Sequence, residues 1–159
     1  MNDTIKTSFW KQYGAAIDMF ENAVAKCPPE IWDDKRKFWY IAFHTLYFLD
    51  YYLDKDPDNF KCPQHFTMGD DDEPDRVYEK SELLDYIGHC RKKCHDLLAG
   101  FTTENIENRW KNDRREYNMF EMQLYNMRHV MHHTGQLNHF IGLIDHDLPV
   151  WVSQTKVPL

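Results

Sequence analysis

Between Phe38 and Tyr52 the chain carries Phe38, Trp39, Ile41, Phe43, Leu46, Phe48, Leu49 and Tyr52, which leave little of a helix circumference polar. A helix apolar on most of its faces needs neighbours on most sides, so it belongs at the centre of the fold. With only six glycines and seven prolines, and few Val-Ile-Thr alternations, those neighbours are expected to be helices. A chain of 159 residues fits one domain, residues 1–159, able to bury its own core.

Three further stretches read as helices. Asp3 or Thr4 can cap the first, in which Ile5, Phe9, Tyr13, Ala16, Phe20, Ala23 and Val24 form one stripe, and Cys27-Pro28-Pro29 ends it. The central helix is expected from Ile31 or Asp33 to Leu53. Ser81 can cap a third, with Leu83, Leu84, Ile87, Cys90, Cys94, Leu97 and Leu98, closed by Gly100. The fourth is expected from Glu116 to Ile144. Between the second and third lies a long connection, Asp54 to Lys80, broken by Pro57, Pro63 and Pro74. Its length frees helices two and three from the antiparallel arrangement that a short turn imposes. The acidic run Asp70-Asp71-Asp72-Glu73 lacks the ligand spacing of a calcium loop and reads as solvated. Phe101 to Arg115 is a second connection with a short helical turn. The apolar tail Leu148–Val152 is expected to pack against the bundle or a second subunit.

A formal charge of −7 argues against nonspecific nucleic-acid binding. The local basic group Arg109, Lys111, Arg114 and Arg115 is interrupted by Asp113 and Glu116 and reads as a solvated helix start or loop. No apolar stretch approaches the ~20 residues that span a bilayer. The N-terminal segment lacks signal-peptide character, so the expected location is cytoplasmic. Cys27, Cys62, Cys90 and Cys94 fit that compartment as free thiols. Cys90 and Cys94, flanked by His89 and His95, form at most a soft half-site; a small core residue and a partly exposed thiol is the plainer reading.

The histidines of the last helix sort by angle. With His129 at zero on a wheel of about 100° per residue, Met119, Met122, Val130, Leu137, Phe140, Ile141 and Ile144 fall roughly between 20° and 120°. His133 lies within that arc near 40°, and His129 at its edge. His132, His139 and His146 fall near 260–300°, beside Glu121 and Arg128, and read as exposed. Four residues apart, His129 and His133 can approach one cation; hydrogen bonds to Asn126 or Gln136 would satisfy them equally well. His44, midway along the central helix between Ile41 and Phe48, can complete a set of three. Three neutral imidazoles with an open fourth position suit a catalytic metal and leave its charge uncompensated. Tyr40, Tyr47 and Tyr51 are near enough to His44 to line a pocket, while Asp50, about 240° round from it, faces away.

With His44 in the second helix, then His129, His133 and Gly135-Gln136, the chain resembles the DinB/YfiT-like family of metal-dependent enzymes. That family has a histidine in its second helix and a late His-x-x-x-His followed closely by Gly-Gln; His132 matches a histidine common there but not needed for the metal. The resemblance extends to length, helix order and the long connection. It implies an all-α, up-up-down-down four-helix bundle, often a homodimer, binding a divalent metal such as zinc or nickel through His44, His129 and His133. Similar proteins include thiol transferases using bacillithiol or glutathione-like thiols, and a mycothiol-dependent isomerase. Many relatives carry arginine just before Gly-Gln, where this chain has Thr134.

The leading expectation is a metal-dependent enzyme acting on a small molecule, with water or a low-molecular-weight thiol as nucleophile. Thiol S-transfer and hydrolysis share these first steps. The alternative is a helical binding or dimerisation module, with structural histidines or an inert metal and a working surface around Trp151.

Overall fold

The computed structural model describes residues 2–68, 74–144 and 147–159. Helix α1 (Asp3–Lys26) is capped by the Asn2 side chain, which accepts from the Thr4 N–H at 2.7 Å. A short α2 (Pro29–Trp32) precedes α3 (Phe38–Leu53) and α4 (Lys80–Ala99). A hairpin of β1 (Arg109–Lys111) and β2 (Glu116–Asn118) leads into α5 (Met119–Gly142). The four long helices enclose a core in which Trp10, Tyr13, Ile17, Phe20, Phe43, Leu46, Leu49, Leu83, Ile87, Met122, Val130 and Leu137 are all inaccessible or nearly so. The chain is mostly helical, as its composition implies.

Hydrogen bonds fix the helix directions. Lys6 reaches the Ala99 carbonyl and Lys80 the Cys27 carbonyl, so α1 and α4 run antiparallel. Tyr78, just before α4, packs on Trp39 and Phe43 near the start of α3, while Lys93 reaches Asp54 past its end. Helices α3 and α4 are therefore parallel, as the long connection permits. Gln123 donates to the Tyr52 carbonyl and Asn126 to that of Leu49, so α5 returns antiparallel to α3. The four long helices thus run up-down-down-up, correcting the up-up-down-down order. The short link through α2 makes the first two long helices antiparallel.

Element boundaries shift for local reasons. The expected second helix breaks after Trp32, because Asp34 accepts from the Arg36 N–H at 2.7 Å and Asp33 from the Trp39 indole at 2.6 Å. Such local side-chain bonds compete with the helix, and Lys37 turns the chain with φ 50°. Helix α4 starts one residue before Ser81, on a capping box of Glu79 and Glu82. Helix α5 starts at Met119, not Glu116, and ends before Ile144, which is exposed. The basic segment forms a hairpin, not a helix start, with Arg109 and Lys111 both paired to Glu116. Its anchor is Trp110, fully buried, donating to the Asp54 carbonyl at 2.9 Å.

Cys90 and Cys94 both lie in the core, which corrects the reading of one as partly exposed. Burial pushes both thiols well above their ordinary range. The four cysteines are unpaired. The acidic run 70–73 and His146 lie outside the described residues. The tail divides: Val150 and Trp151 stay exposed, whereas the Thr155 N–H donates to the Lys11 carbonyl and Trp10 donates to that of Val157. That close approach requires Gly14, since a Cβ there would come within 2.5 Å of Thr155 Cγ2. Among the described residues no helix is long and apolar enough to cross a membrane.

Candidate metal centre

The antiparallel packing of α3 on α5 brings His44, His129 and His133 together. Their ring centroids are 5.5 Å (44 to 129), 4.9 Å (44 to 133) and 4.5 Å (129 to 133) apart. Each ring presents a nitrogen within 4.8 Å of those of the other two. It is the one group of three or more metal-capable side chains among the described residues. All three rings are half-buried. As angular sorting predicted, His132 and His139 point to solvent.

The donor atoms are prepared from behind. The His133 Nδ1–H donates to the Gln136 amide oxygen at 2.6 Å, which leaves Nε2 unprotonated and facing His129 Nε2 at 3.1 Å. This outer bond fixes tautomer and ring orientation, the usual support of a metal-binding imidazole. His129 Nδ1 is buried with no partner, and the ring's Nε2 meets His133 within the cluster. Of the two suggested satisfying partners, Gln136 serves His133, whereas Asn126 is engaged with Leu49.

Burial, and then the nearby His133 and His44, lower the His129 pKa to about 3. Burial also lowers that of His133, partly offset by Gln136. Both rings are therefore neutral at pH 7, the form that can donate a lone pair to a cation. In the metal-free protein this carries a stability signature. Above about pH 6.5, His129 is neutral whether the chain is folded or unfolded. Below it the unfolded state takes up a proton that the folded state refuses, so stability falls as pH drops towards 3. Each unit of that gap is worth about 1.4 kcal/mol. Thermal unfolding at a series of pH values should show a shallower decline in His129→Gln than in wild type. Equal slopes would assign the titration elsewhere.

Aromatic rings wall the cluster. Phe48 lies 4.7 Å from His44 and 5.9 Å from His129, and Tyr52 stands edge-on to His129 at 6.0 Å. Tyr40 is 6.3 Å from His44. Tyr47 and Tyr51 line a hollow of about 300 Å³ with Phe48, Tyr52, Arg114 and Arg115, and Tyr51 accepts from Asn112 at 3.1 Å. His129 itself lines a separate hollow of about 420 Å³ with Tyr125 and Arg128. Asp50 does face away, towards α4, where it accepts from Tyr86 and Lys93. Phe48 and Tyr125, each four residues from a cluster histidine, were within reach of helical spacing. Arg115 was not, because it arrives on the hairpin.

The family model for the DinB superfamily matches residues 12–137, a span that includes all three histidines and Gly135-Gln136. The chain belongs to the DinB superfamily. No significant match was found among curated proteins or among solved structures.

Proposed function

We propose that the protein is a metal-dependent enzyme in which His44, His129 and His133 hold one divalent cation, zinc or nickel. The observation that carries this reading is the convergence of three half-buried imidazoles, two of them kept neutral by burial and one oriented from behind by Gln136. Bound there, the ion supplies a Lewis acid that lowers the pKa of a water or thiol at its open position. The chain's own residues do the rest. Gln136 keeps the His133 proton on Nδ1, and Phe48 and Tyr52 shield the site from bulk water. Thr134 supplies no charge: it is buried and donates to the Val130 carbonyl. A low-molecular-weight thiol or water is the nucleophile, which gives a thiol S-transferase or a hydrolase.

The exposed Val150 and Trp151, beside a groove formed by Ala15, Ala16, Met19, Met127 and Met131, support a homodimer. The four unpaired thiols support a cytoplasmic location.

Elemental analysis of protein purified without a histidine tag tests the central claim. Near-stoichiometric zinc, nickel or a similar ion is expected. Protein that is folded yet metal-free, and that takes up neither ion on dialysis, would leave the binding-module reading and its groove around Trp151.

A further inference from the structure

The hairpin carries a guanidinium to the edge of the histidine cluster. Arg115 lies over the ring of Tyr125, with its guanidinium carbon 5.2 Å from the centroid, and over that of Tyr52 at 5.9 Å. Tyr52 in turn meets His129 edge-on, so one aromatic ring separates Arg115 from a cluster nitrogen. The turn that places it is well held. Asn112 accepts from the backbone N–H groups of Arg114 and Arg115 at 2.9 and 2.8 Å, and its own N–H donates to the Arg115 carbonyl.

Arg115 is half-buried, and among the described residues it takes no part in the hairpin's ion pairs, which join Arg109 and Lys111 to Glu116. The two acids lining the same hollow, Asp58 and Asp113, are exposed at its rim and pair with neither arginine. Tyr52, one of the hollow's three tyrosines, already has its cation in Arg115. Stacking of this kind occupies the face of a guanidinium and leaves its N–H edge free for a planar anion, which it binds with two parallel hydrogen bonds. Rim acids disfavour a polyanion such as a nucleotide. A single carboxylate on a small molecule is the ligand that fits.

We propose that Arg115 is a specificity-determining residue that selects a carboxylate-bearing ligand, whose donor atom lies at the three-histidine site while its carboxylate meets the guanidinium edge. This deepens the metal reading and rests on it for the donor end only. The carboxylate end stands on the Arg115, Tyr52 and Tyr125 geometry.

The test uses cobalt-loaded protein and two thiols that differ in one group, 3-mercaptopropionate and 2-mercaptoethanol, read by thiolate-to-cobalt absorption. Wild type should bind the carboxylate thiol at least about tenfold more tightly, the low end for a charge-assisted contact. Arg115→Met, which keeps the apolar stem, should lose the preference while retaining cobalt, and Arg115→Lys should keep part of it. Equal affinities in wild type, or an undiminished preference in Arg115→Met, would overturn the proposal. If cobalt is not taken up or neither thiol reaches it, the donor end fails separately. Propionate titrated against the tyrosine ring NMR signals of the metal-free protein then decides the carboxylate end. Shifts at Tyr52 and Tyr125 that vanish in Arg115→Met support it, and their absence in wild type refutes it.

Discussion

Replacing His133 by alanine is expected to cut divalent-metal affinity by roughly two to three orders of magnitude. A complete structural ligand set supplies ~10–16 kcal/mol, so one imidazole's share is about 3–4 kcal/mol. The mutation also leaves His129 Nε2 without its 3.1 Å neighbour. Gln136→Ala should do less, about 10- to 100-fold, because it removes only the bond that holds the proton on His133 Nδ1. Competition with a chromogenic chelator measures both. The graded order matters: a structural role for the histidines predicts loss of folding stability but no order in metal affinity. Cys90→Ser and Cys94→Ser should leave the metal in place, since both thiols are buried away from the cluster. Metal retained in His133→Ala but lost in a cysteine variant would move the site to α4.

What could be read in the chain, and what could not, follows the range of the forces involved. Helical periodicity is local, so it marked the buried stripe of α1 and separated His133 from His132 and His139 on α5. It could also bring His44 and the His129–His133 pair onto candidate inward faces. Whether those faces meet depends on how α3 crosses α5, set by bonds such as Asn126 to Leu49 and Gln123 to Tyr52, far apart in sequence. Helix direction is likewise a packing property, and there the resemblance misled while the length of the 54–80 connection did not. The hairpin escaped notice because each strand has only three residues, too short for an alternation to register. Its anchor, Trp110, looked like one apolar residue in a charged segment. Arg115 consequently seemed a surface charge, although the turn at Asn112 aims it at the tyrosines.

Asp50→Ala is expected to destabilise the fold by about 3 kcal/mol and leave metal binding untouched. The carboxylate is 1% exposed and accepts from Tyr86 at 2.9 Å and Lys93 at 2.7 Å, tying α3 to α4. Removing one member of a buried ion pair typically costs about 3–5 kcal/mol, because its partner stays desolvated. Here the low end applies: Lys93 is 27% exposed and keeps Asp54 at 3.0 Å. The greater loss falls on the Tyr86 hydroxyl, left in the core without an acceptor. Chemical denaturation reads the stability, and elemental analysis of the same sample reads the metal. The pairing of these results separates two roles that burial alone confuses. A buried carboxylate on the same helix as His44 resembles a general base, yet it points to the opposite side of α3. Lost stability with full metal content would confirm a structural tie. Lost metal in a variant that still folds would show instead that α3 transmits the Asp50 contacts to His44.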